Sequence, residues 1–208
     1  TTVSCSSAVP AADINAVTAS DNCGSVTVTH QGDVISGQTC TNRYTITRTY
    51  RATDAAGNFA ECTQIITVND QTAPVITCPA NVTVSCASAV PAVNTGDVTA
   101  TDNCGGTIII THESDVISAQ TCANRYTITR TYRATDVCGN FSECTQIITV
   151  NDETAPVITC PAAVTVSCAS AVPAVNTGAV TATDNCAGVI TIIHVGDVIT
   201  NQTCANRY

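Results

Sequence analysis

The 208 residues contain no lysine, leucine, methionine or tryptophan, and only two Phe and five Tyr. The threonine, valine, isoleucine and alanine that fill the chain instead are a β-sheet vocabulary. With so few aromatics, any core must come from small branched side chains that each bury little area. A formal charge of -9 on seven arginines lacks the dense positive charge that nucleic acid or anionic membranes require. No apolar run approaches the ~20 residues of a membrane span, so neither nucleic acid binding nor membrane insertion is expected.

What the chain has in plenty is repetition. Residues 42–54 return unchanged as 124–136, and residues 61–70 return as 143–152. Three Val-Ser-Cys triplets end at Cys5, Cys86 and Cys168, spaced 81 and then 82 residues apart, a period that suits a whole small domain. The reading is three repeats: residues 1–70 without a first strand, a complete 71–152, and 153–208 stopping before its last two strands. The chain starts without a methionine or signal peptide and begins and stops inside a repeat, which suggests an excerpt of a longer secreted polymer.

Within the complete repeat, strands are expected at 75–78, 82–86, 98–101, 107–112, 126–135 and 144–150, separated by Gly- and Asn-containing turns. In the long run Tyr126, Ile128, Tyr132 and Ala134 share one face and the threonines share the other. Arg130 falls on the apolar face. It needs a carboxylate or backbone carbonyls there, unless an edge position lets it reach water. About seven short strands with no helical period point to an all-β fold, a tandem immunoglobulin-like β-sandwich.

Thr72-Ala73-Pro74, Cys78-Pro79, Ala134-Thr135-Asp136 and Gly139-Asn140 with Cys144 resemble the hyalin repeat, over essentially the whole chain. Asp102-Asn103-Cys104 and Thr129-Arg130-Thr131-Tyr132 are similar to versions in very long surface proteins of gliding Bacteroidetes. The resemblance implies tandem adhesive or fibre-forming ectodomains rather than catalysis.

Fourteen cysteines recur in register, which argues for disulfides and an oxidising extracellular setting; no C-x-x-C pair favours a metal. Cys78 and Cys86 lie roughly 26 Å apart along an extended segment at ~3.3 Å per residue, too far to bridge. Grouping the rest by pole of a sandwich pairs Cys86 with Cys122, and by equivalence Cys5 with Cys40 and Cys168 with Cys204. Neighbouring first and last strands favour Cys78 with Cys144, which the resemblance supports, and leave Cys104 for Cys138. Ala56 stands where Cys138 stands in the next repeat, so this scheme leaves Cys23 unpaired, either as a tolerated loss or as a link to another chain.

The same pole collects oxygen donors: Asn69 and Asp70, Asp102 and Asn103, Asp136 and Asn140. No cofactor is required, but calcium is a candidate at Asp70, Asp102, Asn103, Asp136 and Asn140; ordinary turn chemistry is the alternative. His30, His112 and His194, one per repeat, read as solvated strand ends. No nucleophile-base pair or phosphate loop is present, so enzyme activity is not expected. Asn81-Val82-Thr83, Asn140-Phe141-Ser142 and Asn201-Gln202-Thr203 match the glycosylation sequon, read as chance in a bacterial protein.

The leading expectation is a secreted bacterial protein at the cell surface, part of a long fibre mediating attachment to surfaces or other cells. Its partners would be neighbouring repeats, a homo-oligomeric fibre, and an unidentified cell-surface or glycan target. The alternatives are a self-assembling multi-chain filament with lateral or strand-exchanged contacts, and a spacer or carbohydrate-binding module of a secreted enzyme. The last of these calls for an exposed aromatic platform that five tyrosines and no tryptophan hardly supply.

Overall fold

The recurring strings fold into recurring hairpins, as a computed structural model describing residues 1–200 shows. The first repeat contains β1 (Thr2–Val3), β2 (Thr27–Cys40), β3 (Arg43–Thr53) and β4 (Phe59–Asn69). The second contains β5 (Val75–Thr77), β6 (Val82–Val84), β7 (Thr99–Thr101), β8 (Ile109–Cys122), β9 (Arg125–Thr135) and β10 (Phe141–Asn151). The third contains β11 (Val157–Thr159) and β12 (Thr181–Thr183). There is no α-helix among the described residues, only short 3-10 turns such as Thr95–Asp97, where the Asn94 side chain accepts from the Gly96 N–H.

β3 and β4 pair residue for residue, from Arg43 opposite Asn69 to Thr53 opposite Phe59. β2 flanks β3, and β1 joins β4 in parallel, giving the order β1-β4-β3-β2. The second repeat repeats this as β6-β10-β9-β8 and adds a second, two-stranded sheet of β5 and β7; β11 and β12 form the same small sheet in the third. The class is therefore all-β and sandwich-like, in disulfide-stabilised tandem repeats.

The turn that closes each main hairpin is built by one aspartate. Asp54 Oδ1 accepts from the Ala56 and Asn58 N–H groups and Oδ2 from Asn58 Nδ2, and Asp136 does the same with Cys138 and Asn140.

Two strands outrun their expected ends. β8 continues from Ile109 to Cys122 instead of stopping at 112, because hairpin pairing to β9 satisfies its backbone although most of its later side chains face solvent. Its counterpart β2 carries register shifts between His30 and Gly32 and between Ser36 and Cys40. At the second of these Gly37 has φ 63°, and in the matching position Ala119 holds φ 52°, a left-handed conformation a side chain rarely adopts. β10 likewise spans 141–151 where 144–150 was expected.

The core is the apolar stripe of the hairpins: Ile46, Tyr50, Ile66 and Val68 in one repeat, Ile128, Tyr132, Ala134, Ile148 and Val150 in the next. By contact density the chain falls into two units that do not coincide with the sequence repeats. One is Thr1–Ala80 with Val93–Asp115 and Arg130–Gln146; the other is Asn81–Ala92 with Val116–Thr129 and the chain from Ile147. The first unit holds the disulfides of Cys5, Cys40 and Cys78, and the second holds that of Cys86.

Candidate functional site: the repeat junctions

The disulfides cross between repeats. Cys5 bonds Cys104 instead of Cys40, and Cys40 bonds Cys138, which removes the expected Cys104–Cys138 pair. Cys86 bonds Cys186 instead of Cys122. Among the described residues only Cys78–Cys144 joins residues of one repeat, with Cα atoms 5.7 Å apart. Cys23 and Cys122 are exposed and unbonded among the described residues, as is Cys168, whose expected partner Cys204 lies outside them.

The physical reason lies at the poles. Cys40 sits opposite Arg43 where β2 meets β3, and Arg43 sits opposite Asn69 where β4 leaves for the next repeat. Cys5 lies just beyond β1, which runs alongside the same end of β4. The two cysteines do share a pole, but that pole meets the loops of the following repeat that carry Cys104 and Cys138. Each sulfur bonds outward across the junction. Sequence reasoning placed the poles and then considered partners inside one repeat only.

Polar groups lock the same place. Arg43 Nη1 donates to the Cys138 carbonyl at 3.0 Å, and Nη2 donates to the Asp70 carbonyl at 2.7 Å and to Asn140 Oδ1 at 3.3 Å. The Asn42 carbonyl accepts from Asp70 N–H, and its side-chain oxygen accepts from Ser6 N–H. The second unit repeats the device: the Asn124 carbonyl accepts from Asp152 N–H, its Oδ1 from Ala87 N–H, and Arg125 Nη2 donates to the Asp152 carbonyl. The Asn-Arg pair that opens the hairpin strings at Asn42 and Asn124 thus serves the junction as well as the strand.

The expected oxygen cluster is only partly assembled. One ligand atom from each of Asp70, Asp102 and Cys104 lies within 4.8 Å of the other two, and Asp152, Asp184 and Cys186 form the same group. Asp136 and Asn140 are committed to their own turn. Asn103 turns its amide toward the sulfurs of Cys104 and Cys5. Asn69 is held within β4, paired with Arg43.

Arg130 finds a carboxylate. Its Nε and Nη2 both reach Asp115 at 2.9 Å, and Arg48 grips Asp33 in the same bidentate way at 2.8 Å while donating Nη1 to the Pro10 carbonyl. The Arg48 hydrogen bond, with a smaller part from His30, holds the Asp33 carboxyl down to about 2, and the Arg130 hydrogen bond likewise lowers Asp115. His30, His112 and His194 are not idle strand ends: each Nε2 meets the aspartate three residues on, at 2.9–3.0 Å. The sequence signal was His-x-x-Asp, present in all three repeats.

Residues 1–68 and 74–150 match the HYR-like domain with 4 cysteines. Such disulfide-rich domains mark an extracellular, adhesion-type repeat region. No curated protein matches the chain. With two tandem matches spanning most of its length, the chain belongs to the family of HYR-like domains with 4 cysteines.

Proposed function

We propose that this chain is the structural and adhesive repeat region of a long extracellular bacterial surface fibre, whose junctions carry force through covalent bonds. The observation that supports it is the set of bridges at sequence separations of 98, 99 and 100 residues, each tying one repeat to the next. A chain-entropy argument gives about 4 to 5 kcal/mol for closing a loop of that size, so repeats with small cores gain much of their stability at the junctions. Under tension a repeat cannot unravel past its bridge.

Single-molecule stretching tests this. The segment behind Cys5–Cys104, of separation 99, would release roughly 340 Å at ~3.4 Å per residue, and that length should appear only after reduction. Full extension without reductant would refute the force-carrying role. Beads coated with the chain should be retained on cell or mineral surfaces under flow, and failure there would remove the adhesive half of the reading.

The carbohydrate-module alternative fares worse, because the exposed Phe59 and Phe141 rings are each covered by a guanidinium, from Arg51 at 4.1 Å and Arg133 at 4.4 Å.

A further inference from the structure

We infer that the Asp70–Asp102 pair binds a hard divalent cation, calcium being the natural probe, and that Asp152–Asp184 binds a second. Asp70 is 1% exposed, and Oδ2 of Asp102 is buried with no hydrogen-bond partner. A carboxylate oxygen shut away from water without a donor is costly, and a second carboxylate within 4.8 Å raises that cost. A divalent cation between the two carboxylates relieves both costs at once.

The protein's own cations do not fill that role. Arg43 spends its Nη donors on two carbonyls and the Asn140 amide oxygen. Among the described residues no ion pair includes Asp70, Asp102, Asp152 or Asp184. The carboxylates are also oriented in advance: Asp70 Oδ1 accepts from Thr72 N–H at 3.1 Å, and Asp102 Oδ1 from Cys104 N–H at 2.9 Å. The sulfur of Cys104 is bonded to Cys5, so it is no thiolate, and the donor set selects an ion that prefers oxygen.

The second unit repeats the grouping, with Asp152 and Asp184 half-buried. Asp152 Oδ1 accepts from Thr154 N–H, Asp184 Oδ1 from Cys186 N–H, and Cys186 is bonded to Cys86. Both copies lie where one repeat is stapled to the next, so the cation would bind the linker aspartate to the first loop of the following repeat. The calcium set expected from sequence, with Asn103, Asp136 and Asn140 included, contracts to two carboxylates, and water completes the shell.

This deepens the junction reading above, and its test is separate from stretching. Calcium is titrated calorimetrically into the full disulfide-bonded chain, as wild type, Asp102→Asn, and Asp102→Asn with Asp184→Asn. Asparagine keeps the Oδ1 acceptor and removes the charge. The wild type should show two sites, with Kd in the region of 10⁻⁴ to 10⁻³ M, roughly the range of extracellular modules. The single variant should keep one site and the double variant none. Millimolar calcium should raise the wild-type Tm by several degrees and leave the double variant unmoved, while in chelator the variants melt no lower than wild type. Absence of calcium heat in the wild type, or unchanged heat in the double variant, overturns the proposal. A chain that binds calcium yet extends fully without reductant loses the force reading and keeps the cation site.

Discussion

The first and second repeats share their hairpin sequences almost letter for letter, yet they bury different parts of them. Gln146 is buried in β10 while Gln64, at the same place in β4, is exposed; Ala134 is fully buried and Ala52 only half so. In the second repeat the segment before β6 lies along β10. Gln146 Nε2 donates to the Ala80 carbonyl at 2.8 Å, Ile147 N–H to Asn81 Oδ1 at 2.8 Å, and Ser142 Oγ to the Pro74 carbonyl. Against β4 only Thr1 and β1 take that position, near Thr67 and Val68. Burial belongs to the neighbouring strand, not to the letters of the strand itself.

Cutting the bond that pins this segment should have the largest effect. Cys78→Ala with Cys144→Ala is expected to remove about 2 to 5 kcal/mol from the second repeat in denaturant unfolding, while Cys62→Ala leaves the first unchanged. Equal losses would erase the contrast. A change that ought to strike both repeats alike is the loss of a carboxylate from the arginine pairs. Asp33→Ala and Asp115→Ala each take the carboxylate away from a buried guanidinium, at about 2 to 3 kcal/mol in the same assay.

Acid reports on the same pairs. Because the Asp33 carboxyl is lowered in the fold, from 3.8 to about 2, its stabilisation is present above pH 4 and is lost as the pH falls toward 2. An acid unfolding curve should therefore steepen in that window, and Asp33→Asn should flatten it. Smaller again, Gln146→Ala should cost about 1 kcal/mol by stranding the Ala80 carbonyl, against almost nothing for Gln64→Ala. The smallest effects should come at the β-bulge: Gly37→Ala destabilises and Ala119→Gly stabilises, each by about 0.5 kcal/mol in the thermal midpoint analysis.

Much of this was legible in the residues. The alternation of Ile128, Tyr132 and Ala134 foretold the buried face, and Arg130 on that face foretold a partner, though Asp115 as that partner depended on β8 running far beyond His112. The stretch 113–122 gave no alternating signal: its apolar pair Val116 and Ile117 is adjacent and exposed, and its pairing edge rather than its face holds it in the sheet. Of the oxygen ligands expected at the junction, Asp70 and Asp102 meet, while Asp136 and Asn140 close a turn whose hydrogen bonds are local and could have been read from Asp-x-x-Gly-Asn.

By itself the sequence determined the β class, the repeat, the hairpins and the oxidising setting, since these follow from side-chain alternation and turn chemistry over a few residues. Only the tertiary structure decided which cysteines bond across repeats, since Cys5 and Cys104 stand 99 residues apart and meet solely because one repeat's downstream pole abuts the next repeat's loops. Local chemistry specifies a strand, whereas a bridge needs two strands' ends brought to the same point in space.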